Sequence, residues 1–252
     1  MRLMRFRRRA LVALFMVFVW YLITASGMVR EIFLPSPQSV AGAFVRLTVS
    51  GMIVRDLGFT LVRALAGLTL GVVIGVALGI PIGYFPRLYQ ILDLPIDFFR
   101  SIPATALFPL FLLLFGVGDS SKVVIVAYAT SLIMLVNTID GVRSGSKTRR
   151  MLAQTMRATE TQMFAKVTLP DALPQIFTGL RVALSLAVVL VVVLEMFIGT
   201  NVGLGRRISD SHQLYRIPDM YSAIVLTGVT GYCLNLAVRW ADRRVVHWRG
   251  RA

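Results

Sequence analysis

Four ionisable residues stand inside stretches that are otherwise apolar: Arg63, Arg100, Arg181 and Glu195. Placing such a group in a bilayer costs about 2.5–3.5 kcal/mol on insertion scales, so it normally faces the interior of a bundle or a path for solute. The chemistry open to them is electrostatic: ion pairing, gating, or attraction of a charged solute. Arg63 and Glu195 fall near the same ends of their segments, which fits either a structural ion pair or a gate. Arg100 follows Asp97 by one helical turn and so has a local partner. It also sits beside Pro103 in a proline-interrupted segment, where transporters place substrate or gate elements. Arg181 opens its segment, where it can snorkel to headgroups or line an inner mouth. If Glu195 is spent on Arg63, Arg100 and Arg181 leave an excess of positive charge, which favours anions over cations.

Bond-making chemistry has little support. His-Glu-x-x-His, Gly-x-Ser-x-Gly and a Walker motif are all missing from the sequence. Gly116-Val117-Gly118-Asp119 does match the Gly-x-Gly-Asp pattern of aspartyl intramembrane proteases, but no tyrosine precedes an aspartate to supply the second carboxylate. His212 and His247 lie outside the apolar segments and Cys233 is the only cysteine, so neither a metal-ligand cluster nor a disulfide framework is expected.

The elements that position these residues are membrane helices. The chain has 252 residues, is 56% hydrophobic and has a mean hydropathy of +0.74, too apolar for a soluble domain. We read 1–252 as one all-α, polytopic membrane bundle of about six transmembrane helices, at 10–26, 57–83, 93–116, 122–142, 175–199 and 220–240. The first, preceded by five arginines, is read as an uncleaved span rather than a signal peptide. Net charge is +15, from 27 Lys+Arg against 12 Asp+Glu. The basic residues cluster beside the spans, so anionic headgroups and the positive-inside rule account for them and nucleic acid does not. They concentrate in the N-terminus, in 143–174 and after Arg239, which puts both termini and the central loop in the cytoplasm.

Two further patterns are specific. Gly67, Gly71, Gly75, Gly79 and Gly83 recur every fourth residue in the second span, forming a stripe that lets another helix approach closely, within the subunit or across a dimer. The third span is interrupted by Pro95, Pro103 and Pro109. A broken helix at membrane depth requires cover by protein or a water-filled cavity.

The loop 143–174 is far longer than the 2–8 residues or so that a simple helix–helix turn requires. Leu152, Met156, Met163, Phe164 and Val167 recur at helical spacing within it, which makes a short amphipathic lug. Leu169-Pro170 and Leu173-Pro174 are expected to end that lug in a rigid corner. The run ending Val167-Thr168-Leu169-Pro170 resembles the cytoplasmic "EAA" loop of ATP-binding-cassette importer permeases. Met151-Leu152-Ala153 stands where that family usually carries Glu-Ala-Ala, and Arg157 where it carries glycine. The resemblance extends to the nitrate/sulfonate/taurine/bicarbonate branch. It covers Phe33-Leu34-Pro35-Ser36-Pro37, the glycine ladder, Phe99-Arg100-Ser101-Ile102-Pro103, Leu114-Phe115-Gly116-Val117-Gly118, Asn137-Thr138, Gly179-Leu180-Arg181, Glu195 with Gly203-Leu204-Gly205, and Arg239 with Arg243-Arg244.

The resemblance implies a type I importer of the bacterial inner membrane. It would comprise two copies of the permease as a homodimer, two cytoplasmic ATPase subunits carrying ATP and Mg, and an extracytoplasmic solute-binding protein. It implies no cofactor on this chain; the positive charge left on Arg100 and Arg181 is what points to a small anionic or zwitterionic solute. It also implies that Thr159, Glu160, Met163, Phe164, Val167, Leu169 and Pro170 form the coupling helix, with Met163 and Phe164 as apolar anchors on the ATPase. A membrane channel, and less so a Gly-x-Gly-Asp protease, are the alternatives.

Overall fold

The computed structural model describes residues 2–197 and 199–246. His247 and the end of the basic tail lie outside the described residues. Among those described, every regular element is helical: α1 (Arg2–Ala25), α2 (Pro37–Val49), α3 (Met52–Tyr84), α4 (Pro86–Ser101), a 3₁₀ turn (Ala104–Leu107), α5 (Phe108–Phe115), α6 (Asp119–Arg143), α7 (Lys147–Thr155), α8 (Glu160–Met163), a π turn (Phe164–Thr168), α9 (Leu169–Phe197), α10 (Leu204–Gln213) and α11 (Ile217–Val245).

Four helical stretches are long and apolar enough to cross a membrane: α3, α6, the run from α8 through α9, and α11. A fifth crossing comes from α4 with Ala104–Phe115, bent by 79° at the break. In α1 the described apolar helix, Leu14–Ala25, is shorter. At a rise of about 1.5 Å per residue, α3 is about 50 Å long and overreaches a hydrocarbon core of about 30 Å. Each of its ends carries one of the polar assemblies described below.

The glycine ladder explains how the bundle closes. A Cβ on Gly67 would meet Val126, one on Gly71 Thr130, one on Gly75 Met134, one on Gly79 Thr138 and one on Gly83 Val142. Both rows advance together by four residues, so α3 and α6 run parallel and nearly backbone to backbone. The partner helix belongs to the same chain. Parallel neighbours cannot be joined by a hairpin, so the chain between them, α4 and α5, makes the return crossing despite its bend. In turn, α9 is antiparallel to α6: Gly179 faces Asn137, and Gly141 faces Ala172. The core lies between these three helices, where Ile125, Val126, Met134, Ala187 and Val191 are buried.

One expectation is corrected. Pro170 and Pro174 do not end the lug, because α8, the π turn and α9 form one continuous helical run, Glu160–Phe197. The π turn is the reason. The Leu169 N–H bonds to the Phe164 carbonyl five residues back, which widens the helix where the Pro170 ring would otherwise strike a carbonyl. Pro174 forgoes one rung, and its own carbonyl accepts the Thr178 hydroxyl at 2.8 Å.

Candidate functional site

Three assemblies hold the residues singled out in the sequence. The first is the lug. The Ser146 side chain caps α7 and accepts from the Arg149 N–H at 3.3 Å. Arg149 pairs with Asp171 at 2.9 Å, and Arg150 donates to the Val142 carbonyl at 2.9 Å. These bonds tie α7 to α6 and α9. The C-terminus of α7 closes as a Schellman turn: the Arg157 N–H bonds to the Gln154 carbonyl and the Ala158 N–H to the Ala153 carbonyl. That turn holds Arg157 at φ +55°, the left-handed region that favours glycine. The glycine carried at this point by the resembled family thus has a backbone reason. A capping box between Thr159 and Gln162 then starts α8.

The face offered by the lug differs from expectation. Met163 is buried in its own chain, Thr168 is buried, and Phe164 and Val167 are half-buried. Met163 is therefore not an external anchor. The exposed apolar side chains are Met151, Leu152 and Met156, exposed by 58%, 59% and 82%, among Arg149, Arg150 and Arg157. At the base of the lug, the Tyr84 hydroxyl donates to Glu160 at 2.6 Å, and the Tyr84 ring meets the Phe164 ring edge-on at 5.8 Å.

The second assembly is a cleft at the bend of the broken span. Arg100, Ile102, Pro103 and Thr105 line it from α4 and the 3₁₀ turn, facing Tyr128 of α6 and Leu186 and Leu190 of α9, around about 340 Å³. Arg100 also borders a neighbouring, more polar cleft of about 260 Å³ shared with Tyr89, Asp93, Asp97 and Asp140. Pro103 starts the 3₁₀ turn, its ring ending α4 where the chain changes direction. Arg100 pairs with Asp97 at 3.2 Å, both more than half exposed.

The third assembly is a buried charge network at the opposite end of α3. Arg63 donates to Glu195 at 2.5 Å, to Asp119 at 2.9 Å, to the Val202 carbonyl at 2.8 Å and to Thr200 at 3.1 Å. Glu195 also accepts from Thr60 and from the Gly205 N–H. Thr60 in turn accepts from the Leu204 N–H, and Asp56 accepts from the Gly203 N–H and from Arg207. A Cβ on Gly203 would fall onto the Glu195 carboxylate, and Gly203 has φ +136°. One stripe of α3, Asp56–Thr60–Arg63, thus binds α6, α9 and the loop into α10.

This arrangement bears on two expectations about the path. Glu195 is fully buried and its carboxylate accepts from Arg63, Thr60 and the Gly205 N–H, the arrangement of a structural ion pair. Arg181 is bound to Asp242 of α11 at 2.7 Å, which joins two helices. The excess positive charge inferred from the sequence is therefore neutralised, since Arg63, Arg100 and Arg181 each have a carboxylate within 3.2 Å. Asp119, the aspartate of the Gly-x-Gly-Asp match, is committed to Arg63 and Lys122. Sequence reasoning missed Asp56, Thr60, Lys122 and Tyr84. The first two were visible as polar residues at helical spacing with Arg63, whereas Tyr84 carried no signal. Among the described residues no group of His, Cys, Asp and Glu could hold a metal ion.

Comparison with known proteins identifies the architecture. Residues 67–247 match the family described as binding-protein-dependent transport system inner membrane component. The chain is 33% identical to the putative aliphatic sulfonates transport permease protein of Escherichia coli (strain K12), over 92% of this chain and 88% of that one. It is 36% identical to the riboflavin transport system permease protein of Chloroflexus aurantiacus, over 90% and 84%. A solved structure of the MetNI methionine ABC transporter in an inward-facing conformation aligns with a TM-score of 0.66 at 22% identity, covering 79% of this chain and 98% of that one, and supports the fold. On the family match and on relatives that align across nearly its whole length, the chain belongs to the family of binding-protein-dependent transport system inner membrane components.

Proposed function

We propose that the chain is the membrane permease subunit of an ATP-driven importer that moves a small organic anion or zwitterion into the cytoplasm. The observation that carries this reading is the lug. It presents an exposed apolar face on α7, which the Arg149–Asp171 pair ties to α9, and beyond the turn at Arg157 the lug continues from α8 without a break through the π turn into α9, which lines the cleft at Leu186 and Leu190. A partner that pulls on the lug therefore pulls on the wall of the cleft. A helix that docks apolar anchors into a partner groove is a known recognition mode. Met151, Leu152 and Met156 supply the anchors, with Thr159, Glu160, Phe164, Val167, Leu169 and Pro170 fixing the lug's base.

The energy source is a separate ATPase, since this sequence has no Walker motif; ATP and Mg belong to that subunit. A binding protein delivers the solute to the Arg63 end. The lysines and arginines of the N-terminus, the lug and the C-terminal tail favour the cytoplasm for both termini and the lug. A homodimer is supported by α4 and α5, which bury no residue within one chain and present Ile91, Leu94, Phe98 and Leu113 outward. The solute class rests on the relative named for aliphatic sulfonates. The riboflavin-named relative favours a second reading, a neutral aromatic solute.

Purification of the tagged chain from membranes of its host tests the proposal. An ATPase subunit is expected to copurify, with hydrolysis stimulated by a loaded binding protein and uptake into vesicles that requires ATP. Solute flux down its gradient without ATP, and without any ATPase in the preparation, would make the chain a channel. Competition of uptake by taurine or an alkanesulfonate against riboflavin decides the solute class.

A further inference from the structure

The Tyr84–Glu160 contact lies outside every role assigned above. Tyr84 is the last residue of α3, and Phe85 after it is extended, at φ −100° and ψ 105°. The chain then re-enters helix at Pro86 as α4. Tyr84 and Phe85 therefore form the joint between the longest helix of the bundle and the broken span. Glu160 and Phe164, which Tyr84 touches, are separated from it in sequence by all of α4, α5 and α6, and both belong to the lug. The two contacts differ in kind. One is a hydrogen bond to a carboxylate at 2.6 Å and the other an edge-to-face ring pair, so together they set distance and orientation. Around them, Ile80, Pro81 and Phe85 line an apolar cleft of about 520 Å³. That space lets the joint shift without compressing a packed core.

The lug is thus attached to the cleft wall in two ways. Through the covalent run into α9 it reaches Leu186 and Leu190. Through Tyr84 it reaches α4, whose far end carries Arg100 and meets Pro103 at the opposite wall of the same cleft. A displacement of the lug that acted on α9 alone would move one wall. With Tyr84 engaged, it moves both.

We propose that Tyr84 is a positioning residue for transport, which transmits displacement of the lug through its bond to Glu160 and its ring contact with Phe164 to the α3–α4 joint and so to the Arg100–Pro103 wall of the cleft. This rests on the reading of the lug as the ATPase docking element. It requires that the bond matter to coupling and not to assembly.

The test uses the full complex with its ATPase and binding protein in proteoliposomes. It compares wild type, Tyr84→Phe, Glu160→Ala and the double variant. Tyr84→Phe keeps the ring and removes only the donor. The readouts are copurification of the ATPase, hydrolysis with and without loaded binding protein, and solute taken up per ATP. Each single variant is expected to copurify normally and to lower uptake per ATP by about fivefold or more, the lower range of coupling between sites. The double variant should be no worse than either single one, because one bond is lost in all three. Unchanged uptake per ATP in Tyr84→Phe would overturn the proposal. So would effects that multiply in the double variant, or loss of the ATPase from either single variant. If the wild-type chain itself fails to retain an ATPase, the docking reading falls and this inference with it. A wild type that couples beside a Tyr84→Phe variant that couples equally removes the relay alone.

Discussion

Arg63 and Glu195 meet at 2.5 Å with neither side chain more than 3% exposed, although 132 residues separate them in the sequence. The pair is the centre of a network in which Thr60, Asp119, Thr200 and the backbone of 202–205 take up the remaining hydrogen-bonding capacity. Removing Arg63 leaves the buried Glu195 carboxylate without its cation, at a cost of about 3–5 kcal/mol, whereas removing Glu195 leaves Arg63 still paired with Asp119. Arg63→Leu should therefore lower the yield and melting temperature of the purified protein sharply. Arg63→Leu combined with Glu195→Leu should recover part of the loss, because no lone buried carboxylate remains. An Arg63→Leu protein as stable as wild type in a detergent melting assay would show that the network is dispensable.

The glycine face offers a sharp contrast. A Cβ at Gly75 would sit 2.5 Å from the Met134 Cβ and 2.6 Å from the Ser131 carbonyl, a clash that backbone atoms cannot relieve. Overpacking of this kind costs about 1–3 kcal/mol or more. Gly75→Leu should reduce the monodisperse fraction on size exclusion, whereas Val73→Leu, on the exposed side of α3, should not. Val72, adjacent to the stripe, is a poor control because it packs against the core.

Arg157 holds a backbone conformation that costs an ordinary L residue about 1–2 kcal/mol. Arg157→Gly should relieve it and raise the melting temperature by about 2–8 °C, provided the turn opens with the rest of the fold. Arg157→Val should lower it, because a branched side chain tolerates positive φ worst. Thermal melts of the two variants check both signs.

On the docking face, Leu152→Asp with Met156→Asp should insert and fold normally but lose the ATPase in pull-down. Truncating a central interface anchor commonly costs 2 kcal/mol or more, about a thirtyfold loss of affinity. Met163→Asp should instead reduce the folded yield, since that side chain is buried. Retention of a stoichiometric ATPase by the Leu152/Met156 double variant would move the docking face elsewhere on the lug.

Arg100 faces the cleft with its charge shared with Asp97, both accessible. Arg100→Gln should leave assembly and stimulated hydrolysis intact and reduce uptake of an anionic solute by about tenfold, the equivalent of losing one charge-assisted hydrogen bond. Unchanged uptake would restrict Arg100 to the ion pair with Asp97.

The sequence by itself determined the class of molecule and the position of most of its helices. Apolar runs of spanning length, the basic segments beside them and the long amphipathic loop are local features, and a bilayer leaves helices as the economical way to satisfy the backbone within them. The four-residue glycine period likewise announced a close helix contact. It could not name the partner, because a small face accepts any helix that reaches it. Only the tertiary structure decided that α6 is that partner, in parallel, and hence that the bent α4–α5 segment is a true return crossing. The same holds for charge. A list of arginines in apolar segments left a positive surplus, but charge is cancelled in space and not along the chain. Asp119 and Asp242 lie far in sequence from Arg63 and Arg181, and the fold brings each pair within hydrogen-bonding distance. The two prolines after the lug misled for a related reason. A proline ends a helix when its ring meets the carbonyl four residues back; at Pro170 a single π turn, invisible to residue type, moves that carbonyl away, and Pro174 forgoes one rung inside α9.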